Sequence, residues 1–164
     1  MPNTESTLKP PALDPAAVTE RMGSSYPAPF ASPVGDRRKR ALGDGLGLRN
    51  FGVNLVRLPP GAVSSMRHWH SRQDEFVYVL DGELALVTDA GEQLLTAGMV
   101  AGFPAGAEDG PHLVNRSDAT ALYLEVGDRT PGDDVVYSDV DLALPFDPDA
   151  KPHDVFRHKD GTPY

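Results

Sequence analysis

The chain has 164 residues, enough for one sizeable hydrophobic core, and its 40% hydrophobic content excludes a disordered protein. Fifteen Lys and Arg against 24 Asp and Glu leave a formal net charge of -9, which argues against nucleic acid or an anionic membrane as a partner. There is no cysteine, so disulfides, thiolate nucleophiles, iron–sulfur clusters and thiolate zinc sites are excluded, and any metal must use His and oxygen ligands.

Sixteen glycines and sixteen prolines point to short strands joined by tight turns. Residues 1–50, rich in Pro, Gly and Ser, read as an irregular N-terminal arm. Within it, Asp14 followed by Pro15 can cap a turn or two of helix towards Met22. The run Asp36-Arg-Arg-Lys-Arg40 is its one dense basic segment and reads as a solvated stretch on an acidic body. The N-terminus lacks an apolar run, and Phe76 to Leu80, the longest uncharged apolar stretch, is far too short to cross a bilayer. A cytoplasmic protein is therefore expected.

From Phe51 to Asp128 the pattern changes to alternating segments punctuated every eight to twelve residues by Gly, Asp or Pro: FGVNLVRL, SMRHWH, EFVYVL, ELALVT, EQLLTAG, MVAGFP, HLVN and ALYLEV. That rhythm predicts an all-β domain, an antiparallel barrel or sandwich. Asp81-Gly82 predicts a hairpin between EFVYVL and ELALVT, because Gly accepts positive φ without steric cost. Residues 129–164 form a turn-rich C-terminal extension in which VVYSDVDLAL can add an edge strand before a polar tail carrying His153 and His158. Both faces of Phe76 to Leu80 are apolar, so its outer side needs a cover. The arm, through Tyr26 and Phe30, or a second subunit could supply it, and a homodimer is expected.

Chemistry concentrates at His68-Trp69-His70. Residues i and i+2 of a strand share a face, so both imidazoles project into one space. Five residues later Glu75 opens the next strand and can bring a carboxylate there. Two imidazoles and a carboxylate on a rigid sheet form the set that suits divalent Fe, Mn, Zn or Ni.

Gly61, His68, His70, Glu75 and Gly82 together resemble the first motif of the cupin family, and Gly98, Pro104, Gly106 and Asn115 resemble the second. The resemblance implies a cupin-type antiparallel jelly-roll barrel with a metal in its mouth, held in the family by three His and one Glu. His68, His70 and Glu75 carry over directly. The family position of the third His falls on Pro111, and His112 lies one residue late. A one-residue offset turns a strand side chain to the opposite face, so His112 completes the ligand set only if Pro111 creates a bulge. The C-terminal Asp160-Gly-Thr-Pro-Tyr164 is similar to the tails of small bacterial single-domain cupins, some provisionally named sugar phosphate isomerases. The function implied is a small-molecule-binding cupin with a divalent metal site. A metal-dependent sugar phosphate isomerase and a 2-His-1-carboxylate Fe(II) dioxygenase are the alternatives. Spacing alone does not place the charged candidates near the mouth, Arg57, Arg67, Arg72, Arg116 and Glu125, and no Lys occurs between Lys39 and Lys151.

Overall fold

The computed structural model describes residues 8–149 and 155–164; His153 lies outside them. Among the described residues twelve strands follow one another: β1 Arg21–Met22, β2 Arg38–Ala41, β3 Phe51–Leu58, β4 His68–His70, β5 Glu75–Asp81, β6 Glu83–Thr88, β7 Gly91–Thr96, β8 Val100–Phe103, β9 His112–Val114, β10 Ala121–Asp128, β11 Val135–Tyr137 and β12 Ala143–Leu144. The one α-helix among the described residues, Leu42–Gly45, is a single turn. No described helix is long and apolar enough to cross a membrane.

All pairings between these strands are antiparallel. They build a six-stranded sheet in the order β1-β2-β3-β10-β5-β8 and two three-stranded sheets, β7-β6-β9 and β12-β11-β4. The result is a jelly-roll sandwich in which separate sheets face one another, without a continuous hydrogen-bonded barrel. Val56, Leu58, Val77, Val79, Leu84, Leu86, Leu113 and Tyr123 meet between the six-stranded sheet and β7-β6-β9 as the main core. Alternation explains this face: in β5, Val77 and Val79 are buried while Phe76 and Leu80 are exposed.

The expected hairpin at Asp81-Gly82 does not form. β5 pairs with β10 and β8, whereas β6 pairs with β7 and β9, so the chain changes sheet at this point instead of reversing. Gly82 has φ +76°, and a Cβ there would also meet Ala121 Cα at 3.0 Å, so glycine serves both the bend and the close passage of β10. The turn at Asp89-Ala-Gly91 does close a hairpin, with Thr88 opposite Gly91.

The arm is more regular than its composition suggests. Asp14 accepts from Ala16 N (2.8 Å) to cap a short 3-10 turn over Pro15–Ala17. The basic run becomes β2, paired along β3 from Arg38↔Arg57 to Ala41↔Asn54. Arg40 donates to the carbonyls of Pro15, Ala16 and Val18 and to Glu20, so its charge ties the arm to itself instead of facing solvent. In the C-terminal extension two strands form, and β11 lies between β12 and β4 rather than at an edge. Tyr26 and Phe30 pack with Val135, Tyr137 and Leu142, away from the outer side of β5.

Candidate metal centre

β4 is only three residues long, and β11 fixes it, with His68 opposite Tyr137 and His70 opposite Val135. Ser71 N donates to Asp134 O (3.0 Å) and Ser138 N to Arg67 O (3.1 Å), closing both ends of the pair. The approach to β9 passes so near that a Cβ on Gly110 would lie 2.1 Å from Ser138 Oγ and 3.1 Å from His68 N. Only glycine fits there.

His68, His70 and Glu75 come together as the sequence predicts: one ligand atom of each lies within 4.8 Å of the others. His68 Nε2 is 3.9 Å and His70 Nε2 is 3.6 Å from Glu75 Oε2, separations that two donors about 2.1 Å from one ion can span. The protonation pattern follows from the partners. His68 Nδ1 lies 2.8 Å from Met66 O, an acceptor, so Nδ1 carries the hydrogen. His70 Nδ1 lies 2.6 Å from Asp133 Oδ2 and donates there in the same way. Both Nε2 atoms therefore present lone pairs to a carboxylate that accepts no hydrogen bond from the described residues. Three acceptors converging without a donor between them fit a cation. Burial lowers the His68 pKa below its ordinary value, which keeps the ring neutral and ready to ligate.

Asp133 was not legible as a site residue, since it sits in an acidic turn 58 positions after Glu75 in the sequence. Its buried carboxylate also accepts from Arg72 N (2.8 Å) and Gln73 N (3.3 Å), so it locks His70 and the β4–β5 turn together.

His112 does not join the ligand cluster. Leu113 points into the core, and the neighbouring His112 Nδ1 lies 2.9 Å from Ser65 O. Pro111 lines both cavities beside His68 and Glu75, whereas His112 lines the inner one alone. Burial lowers the His112 pKa as well.

The ligand cluster stands between two cavities. The outer one, the mouth, has a volume of about 470 Å³ and is bounded by His68, His70, Glu75, Gln73, Gln93 and Thr88 together with apolar residues such as Leu86 and Phe103. Trp69 is also among its lining residues, while no Lys or Arg is. The inner one, about 150 Å³, shares His68, Glu75, Phe103 and Pro111 with the mouth and reaches Arg37, Tyr123 and Glu125.

Several charged candidates are accounted for by other contacts. Arg67 donates to Gly110 O (2.6 Å) and pairs with Asp89, Asp109 and Asp139. Arg116 pairs with Glu92, and Arg57 approaches Glu20. Glu125 faces inward, accepting from Asn54 Nδ2 (3.1 Å) with Lys39 Nζ at 3.8 Å.

Comparison with known proteins agrees with this architecture. The family model described as a cupin domain matches residues 54–127. A crystal structure of a cupin-superfamily sugar phosphate isomerase from Silicibacter pomeroyi is 47% identical, with 94% of this chain and 96% of that chain covered and a TM-score of 0.87. A protein from Acidithiobacillus ferrooxidans, provisionally named sugar phosphate isomerase, is 32% identical over 68% of this chain and 70% of its own, with a TM-score of 0.64. The polyketide cyclase RemF from Streptomyces resistomycificus shares the fold at 22% identity, with 79% and 85% of the two chains covered and a TM-score of 0.61. No curated protein matches the chain in sequence. From its ligand cluster, its jelly roll and its likeness to these relatives, the chain belongs to the cupin superfamily.

Proposed function

We propose that this protein binds a small organic molecule in the mouth of its jelly roll against a divalent metal held by His68, His70 and Glu75, and that its reaction is the isomerisation of a sugar phosphate. The observation that carries the first part is the convergence of three acceptor groups on the wall of a 470 Å³ cavity. The support for the second is the 47% identical relative, which is named for that activity.

A bound divalent ion supplies a Lewis acid that polarises a substrate carbonyl or hydroxyl oxygen. The protein's own groups prepare that step. Met66 O and Asp133 fix both imidazoles in one tautomer, so no rotation or proton shift is needed before a ligand binds. Gln73, Gln93 and Thr88 offer hydrogen bonds of either polarity to a polyhydroxylated chain, while Leu86, Phe103 and Pro111 keep bulk water from the site.

Three protein ligands also leave positions open for oxygen, as in Fe(II) dioxygenases, which is the second reading. Metal analysis of the purified protein, followed by NMR of phosphorylated aldoses and ketoses incubated with it, separates the two. The proposal expects about one divalent ion per chain, interconversion of at least one aldose–ketose pair without oxygen uptake, and loss of both metal and turnover in Glu75→Gln. Asp133→Asn should lower metal affinity about 10- to 100-fold. Oxygen consumption without isomerisation would establish the second reading, and a wild-type protein that takes up no divalent ion would overturn both.

A further inference from the structure

Among the described residues just two buried side-chain nitrogen or oxygen atoms lack a hydrogen-bond partner, Arg37 Nε and Tyr123 Oη. Both belong to the inner cavity beside His68 and Glu75. A buried polar group without a partner costs about 1–3 kcal/mol, so two in one 150 Å³ space, with no others elsewhere in the described residues, mark a place built for something that accepts hydrogen bonds.

The chain fixes both groups. Tyr123 is fully buried in β10, opposite Val56 of β3 and Val79 of β5. Its pKa is well above the ordinary phenol value because burial disfavours the phenolate, so the hydroxyl keeps its proton and can donate. Arg37 immediately precedes β2, and its carbonyl accepts from Gly23 N (2.8 Å). Its Nη1 donates to Ser64 O (2.6 Å), which orients the guanidinium and leaves Nε unused. Among the described residues no carboxylate forms an ion pair with Arg37, whereas Arg38, Lys39 and Arg40 all have one. Of the two acidic residues of the cavity, Glu125 lies 3.8 Å from Lys39, and Glu75 turns its Oε2 towards His68 and His70.

From these contacts we infer that the inner cavity is an oxyanion subsite, in which Arg37 and Tyr123 bind the carboxylate or phosphoryl head of the molecule whose body occupies the mouth. The inference rests on the proposed function for that body, but the subsite itself uses no metal ligand. It also gives the N-terminal arm a role, since the cation comes from residue 37 and the mouth has no Lys or Arg in its lining. For a sugar phosphate, the phosphoryl group would sit in the inner cavity and the hydroxylated chain would extend past the metal ligands.

Isothermal titration of the chelated full-length protein with inorganic phosphate and, separately, with glycolate tests this directly. At least one probe should bind at one site per chain, and the tighter one identifies the head group as phosphoryl or carboxylate. Tyr123→Phe should weaken that binding about tenfold while leaving the melting temperature equal or higher, because the hydroxyl it removes has no protein partner. Arg37→Met should abolish binding; if that variant fails to fold, Tyr123→Phe decides alone. Absence of binding by either probe, or unchanged affinity in Tyr123→Phe, would overturn the inference. Metal uptake measured in the same variants should be unaffected, so failure of the metal reading would be seen independently.

Discussion

His68 and His112 are held below their ordinary pKa by burial, and the sign of the consequence is fixed. A histidine whose folded-state pKa is lowered binds protons more readily when unfolded, so acid favours the unfolded chain. In the metal-free protein, stability should be full above the unfolded histidine value of about 6.5 and should fall as the pH drops through and below it. Urea unfolding of chelated protein at pH 7.5 and pH 5.5 should show a lower midpoint at the acid pH, and His112→Gln should remove part of the difference. Equal midpoints would mean that neither ring is buried as described. Bound metal should steepen the dependence, since protons compete with it for His68 and His70. His68, His70 and Glu75 were legible because strand parity brings i and i+2 to one face and the next strand starts within a short turn. Asp133, Arg37 and Tyr123 were not, because each reaches the site through a sheet pairing or an arm contact that leaves no local spacing.

The elements around the site depend on latches more than on long ladders. β9 is three residues long, yet Asn115 just beyond it ties three segments together. Its Nδ2 donates to Leu58 O and Ala119 O, both at 2.7 Å, and its Oδ1 accepts from Ser117 N (2.9 Å) and Ser117 Oγ (2.7 Å). Its backbone N–H donates to Ala62 O (3.0 Å), and its carbonyl accepts from Gly61 N (2.8 Å). Asn115 is completely buried, so Asn115→Ala would leave carbonyls without partners and should cost about 2–4 kcal/mol. A lower urea midpoint with an unchanged slope would show this. Metal content should remain that of the wild type, because no ligand is attached to the latch; a loss of metal would place Asn115 in the site instead. The strand content of residues 51–128 was readable from alternation and turn residues. Sheet membership was not, since Gly82 supplies the same positive φ whether the chain reverses into a hairpin or bends into the opposite sheet. The basic run of β2 misled for a related reason: charge density suggests solvent, while alternation places Arg38 and Arg40 on one side of the strand and Lys39 on the other, each next to a carboxylate.

At the scale of the whole molecule, the outer face of the six-stranded sheet remains uncovered. Pairing places Phe76, Tyr78 and Leu80 of β5 on one surface with Leu124 and Val126 of β10, Val53 and Leu55 of β3 and Val100 of β8. Phe76 is 41% exposed and Val100 52%. The arm does not cover them, because Tyr26 stacks edge-on against Tyr137 and packs near Phe156, and Phe30 meets Tyr164. We propose a second copy of the chain as the cover. The centre of this face carries no formal charge, so two acidic molecules can bring it together without opposing like charges across the contact, and a twofold axis lets one patch serve both subunits. Light scattering at micromolar concentration should give twice the chain mass. Phe76→Glu, which places a charge in the middle of the contact while leaving the inward residues of β5 unchanged, should give a folded monomer. A wild-type monomer would overturn the proposal, as would a dimer that persists unchanged in Phe76→Glu. Because β5 carries Phe76 on this face and Glu75 and Val77 on the other, pairing of two copies would also stiffen the strand that holds the carboxylate ligand. The monomeric variant should therefore bind metal more weakly than the dimer, with its ligand set complete.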